Sequence, residues 1–274
     1  MKLDNTFGGH GEGIFYDIPE KEYRAINAVS SSFVKESIKS LKHAHSMLTR
    51  DSKPKPAYEL GRLIHMAILE PDRYKQDVIE TDILTKTLKA YKDLKKEHLD
   101  KIILNKKETD MIHGIVEAIG THTTAPKTIK EGQAEVTILV MHPTLKMPLK
   151  GRLDFLNEDK NYILDLKTAA QVSNPYFMND ACRYNYHVQA AFYLMLLNFL
   201  KSFGETYFLL AIEKEEPFDA ILYEYGWESI GRGRDLIDEQ LPKIKFAIEN
   251  NEWPGFASEP LMLSLPRWGW GMDD

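Results

Sequence analysis

The chain has 274 residues and a formal net charge of −6, from 41 Asp+Glu against 35 Lys+Arg. That length can bury a sizeable core in one large domain or two small ones, and a composition that is 43% hydrophobic and 11% aromatic argues against wholesale disorder. The longest apolar run, Ala190 to Leu197, is far short of the ~20 residues that cross a bilayer, and the single cysteine, Cys182, excludes a disulfide framework, a Cys-rich zinc site and an all-Cys iron–sulfur cluster.

The first residues, Met1-Lys2-Leu3-Asp4-Asn5, lack the charged-then-apolar layout of a signal segment, so a cytoplasmic protein with no membrane partner is the simplest reading. The acidic balance counts against nucleic acid at first sight, because phosphate binding relies on Lys and Arg. Net charge, however, does not say where the charges sit.

Residues 1–130 read mainly as helices. Ser30-Ser31-Ser32 supplies N-caps for a segment carrying Phe33, Val34, Ile38 and Leu41. Between Tyr58 and Leu69, the residues Leu60, Leu63, Ile64, Ala67 and Ile68 form an apolar stripe at helical spacing, ended by Pro71. Lysines crowd the stretch from Lys86 to Lys107. Met111, Ile112, Ile115, Val116 and Ile119 make another helical face, closed by Gly120.

Near residue 130 the pattern changes to period two, as in a layer change within one domain over 1–274. Ala134, Val136, Ile138 and Val140 alternate with Glu135, Thr137, Leu139 and Met141, which predicts a strand. A turn from Pro143 to Pro148 leads to a second strand over Leu149 to Leu156. A polar hairpin loop, Asn157 to Asn161, leads to a third over Tyr162 to Lys167. A buried helix over Tyr186 to Lys201, strands near Tyr207 to Glu213 and Ala220 to Tyr225, and a long final helix complete an α/β layout. The expectation is one central mixed β-sheet flanked by helices.

The segment with chemical content is Gly151-Arg152-Leu153-Asp154 followed by Ile163-Leu164-Asp165-Leu166-Lys167-Thr168. Strand alternation puts Asp165 and Lys167 on one face and Leu164 and Leu166 on the other, and the hairpin can bring Asp154 alongside. Carboxylate oxygens are the hard ligands that Mg²⁺ or Mn²⁺ prefers. A nearby lysine can orient water and neutralise charge developing on phosphorus, which suits phosphodiester hydrolysis. An Asp-x-Lys pair on a strand is more often a solvated face, but here it shares that face with Ile163 in a run that reads as buried, where charges need partners.

Asp-(ten residues)-Asp-x-Lys on consecutive strands resembles the core of the PD-(D/E)XK nuclease superfamily. Further motifs narrow the likeness. Gly61-Arg62-Leu63-Ile64-His65, Leu69-Glu70-Pro71, Gly151-Arg152-Leu153-Asp154, Asp165-Leu166-Lys167-Thr168 and Tyr186-His187-Val188-Gln189-Ala190-Ala191-Phe192-Tyr193 resemble, in order, the nuclease domain of the RecE (exonuclease VIII) family. Glu213-Lys214-Glu215-Glu216-Pro217 and Glu252-Trp253-Pro254-Gly255 match it too, so the likeness runs from Ala28 to Trp268. Lambda exonuclease is a more distant relative in fold and task.

The resemblance implies a site. His65 would be a metal ligand through a neutral ring nitrogen, where the residue alone reads as a core histidine bonded to a carbonyl. Asp154 and Asp165 would be the carboxylate ligands, with the Leu166 carbonyl also touching one or two Mg²⁺ (or Mn²⁺) ions. Lys167 would orient water and stabilise charge. Glu135 lies where related nucleases carry another acid and could reach a metal through water, or could be a surface glutamate. Gln189 and Tyr193 share a helix face and match a Gln-x-x-x-Tyr motif that faces DNA, Gln189 at the catalytic centre; core packing is the competing reading. Arg152 and Lys214 are candidates for phosphate contact, with solvated surface charge as the alternative.

The implied activity is a Mg²⁺-dependent 5′→3′ exonuclease acting on linear double-stranded DNA ends. The implied partner is a RecT-like single-strand annealing protein of a phage or prophage recombination system, and the implied assembly a homotrimeric or homotetrameric ring. A structure-selective endonuclease, a single-strand exonuclease, or an inactive module binding DNA or a partner could be built on the same core. His43, His45 and His65 lack the spacing of a zinc site. Trp253, Trp268 and Trp270 could stack on bases but more often dock a tail. The lysines between Lys86 and Lys107 are candidates to line a DNA path.

Overall fold

Apolar runs between Gln133 and Glu224 build the sheet, and helical stripes before and after them cover it. The computed structural model describes residues 2–49, 56–202 and 206–270, with side chains omitted at 49, 56–58 and 267–268. In chain order the strands are β1 (Gly13–Phe15), β2 (Val29–Ser30), β3 (Val78–Glu80), β4 (Ile102–Leu104), β5 (Gln133–Met141), β6 (Pro148–Asn157), β7 (Tyr162–Ala169), β8 (Thr206–Glu213) and β9 (Ala220–Glu224). The helices are α1 (Glu20–Ala25), α2 (Ser31–Lys39), α3 (Leu41–Thr49), α4 (Pro56–Leu69), α5 (Pro71–Asp77), α6 (Lys89–Glu97), α7 (Lys106–Thr121), α8 (Ala125–Thr128), α9 (Asn174–Arg183), α10 (Tyr186–Phe199) and α11 (Trp227–Asn250).

The main sheet runs β1-β5-β6-β7-β8-β9, with β2 also pairing β6. β7 and β8 are parallel, with α9 and α10 in the crossover between them, while β1–β5, β5–β6, β6–β7 and β8–β9 are antiparallel. The result is a mixed α/β fold with a central mixed sheet flanked by helices. β3 and β4 form a separate parallel pair.

Each face of the sheet has its own core. Ile163, Leu153 and Leu209 pack with Phe33 and Val34 of α2, most of α10, and Ile237, Leu241 and Ile244 of α11. Leu164, Leu166 and Leu210 pack with Leu63, Ile64 and Ala67 of α4 and Ile112 and Ile115 of α7. A strand covered on both faces has no polar side, so β7 reads as one apolar run interrupted by Asp165 and Lys167. Glycine allows the closest approaches. A Cβ at Gly233 of α11 would lie 2.4 Å from the His187 carbonyl oxygen of α10, and one at Gly151 of β6 would lie 2.7 Å from the buried Leu196 side chain.

The structure departs from the sequence reading where elements are short. Four strands of two or three residues lie before residue 130, too short for a period to show. Pro71 ends α4 but also opens α5, since its missing N–H costs nothing at a helix start. Gly120 does not close its helix: α7 runs through it to Thr121 and is capped at His122. Trp253 docks on the core, stacked on His45 at 4.6 Å and edge-on to Phe33 at 6.3 Å, whereas Trp270 is 66% exposed. The Trp268 side chain lies outside the described residues. Among the described residues no helix is long and apolar enough to cross a membrane.

Candidate active site

β6 is shared between two neighbours. Val29 and Ser30 of β2 pair with Leu149 and Lys150 at its start, and β7 joins only at Phe155, Leu156 and Asn157. Asp154 sits at the fork. Strand pairing stops there, and the Asp154 side chain takes over: its Oδ2 accepts the Leu166 backbone N–H at 2.9 Å. The fork thus places the Asp154 carboxylate beside the stretch of β7 that carries Asp165 and Lys167.

Asp165 is 1% exposed. Its Oδ1 accepts from Gln189 Nε2 at 2.7 Å, and its Oδ2 is ion-paired with the Lys167 ammonium but makes no well-oriented hydrogen bond. Lys167 also donates to the Leu166 carbonyl at 3.3 Å. Burial alone would push the Lys167 ammonium down, but Asp165 and Asp154 more than offset it and hold it above its usual value. Burial, then the Asp165 carboxylate beside it, pushes Asp154 up to about 7, and the two carboxyls lie within hydrogen-bonding reach of each other. Like charges this close cannot both ionise cheaply without a cation.

His65 arrives from α4 on the other side of the fork, with Nδ1 3.4 Å from Asp154 Oδ2 and the Leu166 carbonyl as a hydrogen-bond partner. Burial, then the Lys167 charge, pushes its imidazole down to about 4. The ring is therefore neutral at pH 7, the form that can donate a lone pair to a metal. The donor types present (neutral imidazole, two crowded carboxylates and a backbone carbonyl) fit a hard divalent cation. They are not a ready-made cage: among the described residues no three His, Cys, Asp or Glu side chains are arranged to hold an ion. Lys167 occupies Asp165, and Leu166 and His65 occupy Asp154.

Glu135 stands across from Asp154, between the register pairs Ala134–Phe155 and Val136–Leu153. Burial raises its carboxyl pKa first, Arg152 lowers it, and Asp154 raises it further. Arg152 does not reach outward. Its Nε donates to Glu135 at 2.6 Å and a terminal nitrogen donates to the Ile18 carbonyl at 2.8 Å. Gln189 is 9% exposed beside Asp165, whereas Tyr193 is 8% exposed within the α10 core and hydrogen-bonded to Ser31. The motif's two residues share a helix, but only Gln189 meets the acids. Lys214 follows β8 half-buried and makes no ion pair among the described residues. In the lysine-rich stretch, Lys86 pairs with Glu108 and Lys106 with Asp110, so part of its charge is neutralised locally.

Lys35 had no local signal, and Tyr186 was read only as the start of a motif with no role at the site. Lys35 of α2 donates to Gln189 Oε1 at 2.8 Å, fixing the amide so that its nitrogen faces Asp165. Tyr186, at the start of α10, lies under two cations: Lys167 Nζ 5.3 Å and Lys35 Nζ 5.8 Å from its ring centroid. Lys35 reads from sequence as a polar position between core residues, and its partner is 154 positions away.

Comparison with known proteins supports the fold. The crystal structure of a protein from Eubacterium rectale, named provisionally as an exonuclease, superposes with a TM-score of 0.61 at 13% identity, over 89% of this chain and 92% of that one. The protein SSO0001 aligns at 17% identity over 65% of this chain and 86% of that one, with a TM-score of 0.29 from which nothing about the fold follows. No curated protein matches the sequence. Residues 30–260 match the family described as PDDEXK-like domain of unknown function (DUF3799), and the chain belongs to that family.

Proposed function

We propose that this chain is a metal-dependent exodeoxyribonuclease that resects one strand of linear duplex DNA. The observation that carries the reading is the fork between β6 and β7, where Asp154 and Asp165 crowd together against Lys167 beside a neutral His65. Membership of a PDDEXK-like family and the exonuclease name of the Eubacterium rectale protein agree with it.

Mg²⁺ or Mn²⁺ would be held by His65, Asp154, Asp165 and the Leu166 carbonyl, relieve the carboxylate repulsion, and supply Lewis acidity at the scissile phosphate. The chain's own groups do the rest. Lys167 keeps its proton and presents a positive charge where negative charge grows on the phosphoryl oxygens. Gln189 holds Asp165 in one orientation, and Lys35 holds Gln189. Glu135, tied by Arg152, adds negative charge beside Asp154.

The 5′→3′ polarity, the exposure of 3′ strands for a RecT-like annealing protein, the phage setting and a ring of three or four copies rest on the ordered RecE-like motifs. The test is a time course on end-labelled linear and closed circular duplexes, with Mg²⁺ or chelator. Linear DNA shortening from its 5′ end only in Mg²⁺ supports the reading. Cutting of closed circles points to an endonuclease, and binding without turnover in Mg²⁺ or Mn²⁺ to an inactive module.

A further inference from the structure

Tyr184 and Tyr186 flank Asn185, which caps α10 in the left-handed conformation, φ 53° and ψ 45°. Asparagine is among the few non-glycine residues that take that conformation at little cost, which suits it to a tight turn. The turn sets the two rings nearly parallel, with centroids 5.8 Å apart and planes at 28°. At the inner end of this pair Lys167 stands 5.3 Å from the Tyr186 centroid. At the outer end Tyr184 is 50% exposed, and the Arg183 guanidinium lies 5.7 Å from its ring centroid. An aromatic ladder therefore leads from Lys167 to solvent, with cations over both rings.

Core packing explains Tyr186, which also meets Phe177 at 6.3 Å. It does not explain Tyr184, whose ring, among the described residues, stacks only on Tyr186 and meets only the Arg183 cation. Tyr186 and the Arg183 guanidinium already lie against the Tyr184 ring, yet the residue stays 50% exposed, which leaves ring surface for another flat group. Nucleobases stack on aromatic rings whatever their sequence, and a degrading nuclease needs that tolerance because each base in turn passes the site. Lys167 at the inner end and Arg183 at the outer end bring positive charge to both ends of the ladder, as a phosphate backbone requires. We propose that Tyr184 is the stacking platform for the nucleobase flanking the scissile phosphate, held out of the duplex stack, with Arg183 on that nucleotide's backbone. This rests on the nuclease function proposed above.

The test is fluorescence anisotropy with the full chain in Ca²⁺, using a short duplex with a frayed 5′ end, alongside cleavage in Mg²⁺. Tyr184→Ala, Tyr184→Trp and Arg183→Ala are compared with the wild type, and a set of substrates carries one abasic site at successive positions. The platform predicts that Tyr184→Ala weakens binding about 5- to 150-fold, that Tyr184→Trp retains it, and that Arg183→Ala weakens it less. One abasic position should weaken wild-type binding by the same factor and leave Tyr184→Ala binding unchanged. Tyr184→Ala within twofold of wild type on every substrate, or an abasic scan without a sensitive position, overturns the platform while leaving the nuclease intact. A wild-type chain that neither binds nor cuts DNA overturns both.

Discussion

Lys150 and Lys167 lie on adjoining strands, the first buried and the second 18% exposed at its side chain, and their surroundings treat the charge in opposite ways. Burial, then the nearby Arg24, pushes Lys150 down to about 8; its ammonium donates to the carbonyls of Tyr23 at 2.9 Å and Ile26 at 2.7 Å and lies over the Tyr23 ring. Desolvation works against the charge of the half-buried Lys167 too, yet Asp165 and Asp154 hold it above its usual value. Carbonyls satisfy hydrogen bonds without supplying a counter-charge, so a lysine among them is a mechanical tie whose charge is a burden. A lysine among crowded carboxylates is half of an electrostatic system that a phosphate or a divalent cation can enter and rearrange.

If that division is right, Lys167→Met lowers DNA cleavage by about 10²- to 10⁴-fold while the chain still folds, because the carboxylate pair can keep a proton in place of the lost ammonium. Lys150→Met does the reverse. It should leave cleavage within about twofold while leaving the Tyr23 and Ile26 carbonyls unsatisfied, for a loss of about 1–3 kcal/mol. Single-turnover cleavage and urea unfolding on both variants decide it. Equal loss of cleavage in the two would show that the division does not exist.

A pH series sharpens the same contrast. Between about 8 and 10.5 the native chain gives up the Lys150 proton while the unfolded chain keeps it. The unfolded state then binds more protons, so stability rises with pH across that window and the burden is fully relieved above 10.5. Relative to Lys150→Met, the wild type should gain up to about 3 kcal/mol from the bottom of the window to the top. Urea midpoints that run parallel for the two proteins would remove the case for a burdened Lys150.

Lys35 tests whether a lysine can belong to both classes. It is pushed down to about 8, by burial first and then by Lys167, yet it reaches the acids through Gln189. Lys35→Met should reduce cleavage about tenfold, mainly in kcat, because the amide it fixes orients Asp165 rather than DNA. Lys35→Arg should restore part of that loss. A change confined to KM would instead place Lys35 on the DNA.

That Asp154, Asp165 and Lys167 come together was legible because strand alternation and hairpin spacing are local rules, whereas helix spacing left Gln189 open between site and core and only the RecE-like motif pointed it at the acids. Glu135 and Arg152 were legible as residues but not as a pair, since the sheet register that joins them lies across two strands. Tyr193 was legible as a helical position, but whether it faces DNA or core depends on Ser31, which sits far away in the chain. Lys35 had no signal, because hydrogen bonds between α2 and α10 leave no period in either segment. β1 to β4 were illegible for the same reason on a smaller scale: two or three residues cannot display an alternation.

The smallest effect probes the connection between the two regions. Ser30 is the register partner of Lys150 in β2 and also the N-cap of α2, its Oγ accepting the Phe33 N–H at 3.4 Å. The same residue therefore touches the structural tie and the helix that carries Lys35. Ser30→Ala removes one cap bond, a cost of about 1 kcal/mol. Phe33 and Val34 remain anchored in the core, so the helix keeps its position and cleavage should stay within about twofold of wild type. A cleavage loss matching that of Lys35→Met would mean that the cap, rather than core packing, aims Lys35 at Gln189, and that Lys150 and Lys167 belong to one mechanical unit.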